Sequence, residues 1–227
     1  MSLEPIPTDE DIKMIISKLE SIESRSFDEA GAIISEICRN DIKLSLKEIE
    51  FILHMKEKEL INIFFYEYSL FDQKDFVFVE GFINSNLDHE NRDFVSDLIY
   101  IALDFALDLN YKKILSFLKT EKEDVDLIIL ASLEYLHKNI KLLYVEELTE
   151  GLEYVRNHAV YYQNEQLLAS LILYRITYKE HYLLFIKELL ESDDSNLKYL
   201  QNILKGEMYS DTYFNNIEIQ KIVNIKE

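Results

Sequence analysis

Four glycines and two prolines are all that this 227-residue sequence contains of the two residues that most readily break helices and build tight turns. A chain so poor in both is constrained to fold as nearly continuous helix with short connections. Helix start signals recur along it. Thr8-Asp9-Glu10-Asp11 has an N-cap followed by acids in the first turn. Ser26-Phe27-Asp28-Glu29, Ser45-Leu46-Lys47-Glu48 and Thr120-Glu121-Lys122-Glu123 fit the capping box, in which a hydroxyl and a carboxylate each accept an N–H of the other's residue. Asp72, Asp88, and Ser192 or Asp193 are further caps.

Between these points the apolar residues fall at helical spacing. Ile12, Ile15, Ile16, Leu19 and Ile22 line one face of the first segment. The pattern predicts helices over 8–23, 27–39, 45–55, 57–71, 73–86, 90–109, 111–119, 123–138, 143–158, 164–177, 179–191, 194–205 and 211–225. Asp75-Phe76-Val77-Phe78-Val79-Glu80 is the best strand candidate, and a hairpin with the Phe64–Phe71 region is the alternative there. Helix is preferred because Phe76, Val79, Phe82 and Ile83 also share one helical face. The crowd of aromatics from Phe64 to Phe82 reads as core between adjacent helices.

No linker divides the chain, so residues 1–227 read as one helical domain. Leu130-Ala131-Ser132-Leu133 recurs as Leu168-Ala169-Ser170-Leu171, 38 residues later, a spacing suited to two-helix repeats. Many helices joined by short turns favour stacked antiparallel hairpins over one four-helix bundle. In helix length and spacing the chain resembles HEAT-like α-helical repeat proteins. The resemblance implies an all-α fold of stacked antiparallel hairpins in a right-handed superhelix, and it carries no functional residue. Gly31, Gly81 and Gly151 fall inside helical patterns and are expected to let helices approach closely, while Gly206 is a C-cap.

The charge limits function. Forty-three acids against 24 basic residues leave a formal net charge of −19. Such a surface repels nucleic acid and anionic membranes and attracts basic partners. Part of the charge is ordered. On a helix over 90–109, Asp93, Asp97, Tyr100, Asp104 and Asp108 fall within about 80° of arc, with apolar residues on nearly all the remainder. Glu146, Glu150, Glu153 and Asn157 line one face of a later helix, flanked by Glu147 and Tyr154. Both stripes are single-signed and interleaved with tyrosine, which suits docking of a basic partner as well as a plain solvated face. Tyr161-Tyr162, in an expected loop, is a further interface candidate. Asp104 and Asp108 have the i, i+4 spacing that could bind Mg²⁺ or Ca²⁺, similar to the first part of isoprenoid-synthase helices, but the denser aspartate motif of that family is absent.

No catalytic motif stands out. His54, His89, His137, His158 and His181 are scattered, with none in a paired metal spacing, and His137 near a helix end suits a favourable interaction with the helix dipole. Cys38 lies in an apolar helical run and reads as a buried small side chain. No two glycines can build a phosphate-cradling loop, and neither cofactor nor metal is expected. No apolar run is long enough to span a membrane. The first residues lack a signal peptide's basic and apolar blocks, so cytoplasmic residence is expected. Bias toward Ile, Lys, Asn, Tyr and Glu suggests an AT-rich bacterial genome. In size, acidity and helical composition the chain resembles acidic bacterial toxin-immunity proteins. That resemblance implies a non-enzymatic protein that neutralises a basic, nuclease-like toxin by covering its active site. A helical-repeat scaffold or regulatory adaptor, or a DNA mimic that titrates a nucleic-acid-binding protein, is the alternative.

Overall fold

Helix caps written in the sequence organise the first part of the chain. The computed structural model describes residues 8–19, 21–120, 126–158 and 163–191, with residue 198 beyond them. These residues form eleven α-helices and no strand. Apart from residue 198, the helices expected over 194–205 and 211–225 lie outside the described residues, as do the caps at Ser192 or Asp193. So does Gly206. The contacts fall into two compact units, Met1–Asn86 with Asp104–Leu107, and Leu87–Leu103 with Asp108–Glu227.

The first unit carries α1 (Asp9–Leu19), α2 (Phe27–Arg39), α3 (Leu46–Leu53), α4 (Lys58–Glu67) and α5 (Gln73–Asn86). Thr8 and Asp11 cap α1 reciprocally: the Thr8 amide donates to Asp11 Oδ2 at 2.9 Å, and the Asp11 amide donates to Thr8 Oγ1 at 3.3 Å. Ser26 with Glu29, and Ser45 with Glu48, form complete capping boxes on α2 and α3. Asp72 caps α5 by accepting the Lys74 amide at 3.0 Å. Asp75, buried, accepts the Asp72 amide at 2.8 Å in return. Residues 75–80 are therefore helical, and the hairpin alternative fails there. α2 packs on α1 and α4, and α4 also on α3. The aromatic crowd is core, as its spacing implied. Phe64 stacks on Tyr68 at 4.8 Å, Phe71 meets Tyr68 edge-on at 4.9 Å, and Phe105 contacts Phe71 and Phe76 at 5.4 Å each. Tyr66 is the exposed exception.

The second unit carries α6 (Arg92–Asp104, its last residue grouped with the first unit), α7 (Tyr111–Phe117), α8 (Asp126–Lys138), α9 (Val145–Asn157), α10 (Gln163–Thr177) and α11 (Glu180–Glu191). α10 packs on α8, α9 and α11, and α7 packs on α8 and α9. Gly151 permits the last of these contacts: a Cβ there would meet Leu118 at 2.9 Å. Gly31 has only ordinary contacts at that point, and Gly81 has nothing within 4 Å, so the close-approach role holds for Gly151 alone of the three. Asn91, not Asp88, caps α6, accepting the Phe94 amide at 3.1 Å. Asp88 instead pairs with Lys113. The tetrapeptides of α8 and α10 match in detail. Ser132 and Ser170 are both buried, and each hydroxyl donates to the carbonyl four residues earlier, at 2.6 and 2.7 Å.

A longer recurrence is not legible in short words of sequence. A shift of 65 residues carries Phe27–Arg39 onto Arg92–Asp104 and Leu46 onto Tyr111, so α2 matches α6 and α3 starts where α7 does. The same shift carries Asp41 onto Ala106, both in the left-handed region at φ 49° and 54°. It carries the cap Ser45 onto the cap Asn110. Buried positions coincide too: Ile34 with Ile99, Leu44 with Leu109, Ile49 with Ile114, and Leu53 with Leu118. In both copies a tyrosine of a later helical stretch takes the same backbone donor. The Leu44 amide donates to the Tyr68 hydroxyl and the Leu109 amide to the Tyr135 hydroxyl, each at 2.8 Å.

Candidate functional site

The α6 strip is shorter than its sequence suggests. Eight of its residues from Phe94 to Leu103 are buried, which leaves the narrow acidic edge expected. Asp93 is exposed, Asp97 and Tyr100 are half-buried, and Asp104 is the exposed last residue of the helix. The helix does not reach 109. Ala106 turns left-handed, the Leu103 carbonyl accepts Lys138 Nζ at 2.8 Å, and the Leu109 amide goes to Tyr135. Asp108 is therefore off the strip. It accepts from Lys141 Nζ at 2.6 Å and forms an ion pair there. The i, i+4 pairing of Asp104 and Asp108 on one helix is lost with it. Among the described residues no group of three or more His, Cys, Asp or Glu is placed to hold a metal ion. Tyr100 is not a free aromatic anchor either, because its hydroxyl bonds the buried Glu134 carboxyl of α8.

α9 keeps more of its acidic edge. Glu146 and Glu147 are exposed in its first turn and enter no ion pair among the described residues. Glu150, one turn on, pairs with Lys119 at 2.8 Å. Glu153 faces inward, where burial opposes its ionisation. The Tyr182 hydroxyl, then Arg156 and Asn157, outweigh that and hold the carboxyl below its ordinary range. Burial and this hydrogen bond together push Tyr182 up to about 12. Tyr154 stacks on His158 with ring centroids 3.6 Å apart. Glu153 and Tyr154 thus serve packing within the unit, while Glu146, Glu147 and Glu150 line the open edge. The stripe is not single-signed at Glu150. A cleft of about 290 Å³ beside it is lined by Lys112, Leu115, Lys119, Tyr144, Glu147 and Glu150. Tyr161 and Tyr162 lie outside the described residues.

Next to this edge stands a feature that sequence reasoning passed over. Leu142 and Leu143, in the 3-10 turn Leu142–Tyr144 that leads into α9, are each 82% exposed. The helix expected over 143–158 takes in Leu143 and leaves Leu142 just before it. That helix starts at Val145 instead, and the two leucines point outward from the turn before it. A pair of adjacent exposed leucines was the available signal, once the helix start is moved.

A second overlooked group is buried. Glu134 and His137, one turn apart on α8, are each only 4% exposed. Burial pushes Glu134 up to about 7, against the opposing hydrogen bond from Tyr100. Burial, then the charge of Arg175, pulls His137 down to about 4. Neither of its ring nitrogens has a hydrogen-bond partner among the described residues. A neutral imidazole gains little from a helix dipole, so the dipole role expected of His137 is replaced by burial. Its own carbonyl accepts Arg175 Nη1 at 2.9 Å. Cys38 is half-buried, not fully buried as expected, and its thiol is pushed up to about 11 by burial and then by Glu67, which disfavours the reactive thiolate. No helix among the described residues is long and apolar enough to cross a membrane.

The chain matches no known family model, no curated protein and no solved structure.

Proposed function

We propose that this chain is a non-enzymatic acidic binding protein, and most concretely a cytoplasmic immunity protein. It would neutralise a basic, nuclease-like toxin by occluding the toxin's active site. One observation carries the reading: the first turn of α9 presents Glu146 and Glu147 to solvent, neither in an ion pair among the described residues, beside the exposed Leu142 and Leu143. An acidic rim next to apolar surface is what a basic partner recognises, charge setting the encounter rate and apolar contact the lifetime. The overall charge of −19 adds long-range attraction to the same partner. An active site that binds phosphate must itself be positive, which makes a nuclease the fitting class of partner.

The finer architecture belongs to the same proposal: stacked antiparallel hairpins in a HEAT-like right-handed superhelix. Contacts between next-but-one helices, α2 with α4, α7 with α9 and α8 with α10, support it. The 65-residue recurrence favours one second reading, a helical-repeat scaffold or regulatory adaptor, or a DNA mimic on a nucleic-acid-binding protein.

The test is co-expression. The open reading frame adjacent to this one is expressed alone and with this chain. The immunity reading expects growth arrest, relief of the arrest, and a one-to-one complex. An adjacent product that is harmless, or whose toxicity this chain leaves untouched, overturns it. Several weaker partners in place of one tight complex would select the scaffold reading.

A further inference from the structure

We propose that Leu142 and Leu143 are the apolar anchor of the interface, and that the partner is a protein presenting an apolar pocket rimmed by lysine or arginine. The inference rests on the binding reading above and names the contact that would hold such a complex together. Two adjacent leucines at 82% exposure keep almost all of their apolar surface in water. Single exposed leucines are ordinary, but two consecutive ones at this level form a protrusion.

The turn that bears them is pinned on both sides. On the near side, Lys141 donates its amide to the Tyr111 hydroxyl at 3.3 Å and its ammonium to Asp108 at 2.6 Å. On the far side, the Tyr144 ring stacks on Tyr111 at 5.2 Å, with the Lys112 ammonium 5.9 Å from its centroid. The Tyr144 amide closes the turn onto the Lys141 carbonyl at 3.0 Å. A protrusion held this way loses little further freedom on binding, which favours tight contact over loose adsorption.

Charge decides the occupant. Three and four residues after Leu143 come Glu146 and Glu147, exposed at the start of α9. A second copy of this chain would bring the same acids, on a molecule of charge −19, against them. An anionic membrane is repelled for the same reason. A basic protein surface with an apolar hollow satisfies both the leucines and the glutamates.

The experiment uses the full chain and the purified product of the adjacent open reading frame. Association is followed by biolayer interferometry for the wild type, for Leu142→Ala with Leu143→Ala, and for Glu146→Gln with Glu147→Gln. The leucine pair is expected to weaken binding about 100-fold, nearly all of it in the dissociation rate. The glutamine pair is expected to slow association, most at low salt. Unchanged urea midpoints for both variants show that the fold is intact. If the wild type binds and the leucine pair leaves the affinity within about twofold, the anchor is refuted and the immunity reading stands. If the wild type does not bind, both fall. Concentration-dependent dimerisation of the wild type that the leucine substitutions abolish assigns the surface to a second copy, and refutes the proposal.

Discussion

At the scale of single residues, hydroxyls and carboxyls buried among helices carry the sharpest consequences. The Tyr68 and Tyr135 hydroxyls each accept a buried leucine amide. Removing either hydroxyl orphans a backbone donor where water cannot replace it. Tyr135→Phe is expected to cost about 1–3 kcal/mol in urea unfolding, and Tyr68→Phe a similar amount. Glu134 gives a pH dependence. Its pKa near 7 in the fold lies above its ordinary value of 4.5, so ionising it costs more in the folded state than in the unfolded chain. The penalty is absent below 4.5, grows as pH rises, and levels off above 7. Glu134→Gln should therefore leave stability nearly unchanged at the acid end of this window and raise it by about 3 kcal/mol at the alkaline end. His137 works in the opposite sense. Its pKa near 4 lies below the ordinary 6.5, so it withdraws stability as pH falls from 6.5 toward 4. The two slopes oppose each other across their shared range in the wild type, and Glu134→Gln exposes the histidine's. Equal effects of Glu134→Gln at both ends of the window would refute this account.

At the scale of elements, helix packing sorts the glycines. Gly81 lies in α5, exposed, with no heavy atom within 4 Å of where a Cβ would stand. Gly81→Ala should stabilise the protein by about 0.5–1 kcal/mol through helix propensity alone. Gly151 is buried in α9 against Leu118, whose side chain would lie 2.9 Å from a new Cβ. Gly151→Ala should destabilise by about 1–2 kcal/mol despite the same gain in propensity, because Leu118 is itself fully buried and has nowhere to move. Paired urea titrations read both, and matching signs would refute the packing argument. These elements also mark how far the sequence reaches. Ser26 with Glu29 and Ser45 with Glu48 announce α2 and α3, because a capping box is a purely local device. The end of α6 is not announced. Phe105, Ala106 and Leu107 continue a helical pattern, and it is Lys138 and Tyr135, distant in sequence, that take the backbone groups around the break. Asp108 was misplaced for that reason. Leu142 and Leu143 are not legible as an exposed pair, because the expected helix start at 143 puts Leu143 inside the helix, while the helix begins two residues later, at Val145.

At the scale of the whole molecule, net charge is the property most open to reading, since it needs no register and no partner. Its consequence for stability is direct. Self-repulsion at −19 opposes any compact state, and dissolved salt screens it. Raising sodium chloride from about 20 to about 500 mM should raise the urea midpoint. A falling midpoint would mean that ion pairs such as Lys119–Glu150 outweigh the repulsion, against the small worth of exposed pairs. The 65-residue recurrence lies at the other extreme. It lives in burial, backbone angle and cap position, while few residues repeat, so the sequence alone hides it. Its left-handed corners have a bearing on how the molecule folds. Asp41 and Ala106 turn the chain without glycine; aspartate tolerates this conformation and the Asp41 and Ile42 amides close its turn onto the Cys38 and Ile37 carbonyls, whereas alanine has no polar side chain to ease it. A peptide cut from 90–110 would be expected to run helical straight through Ala106, a chameleon segment whose bend is imposed by the rest of the protein. The Lys138 and Tyr135 hydrogen bonds, both made by α8, stand on either side of that bend, and a chain in which they are unmade is expected to carry a longer helix than the native one.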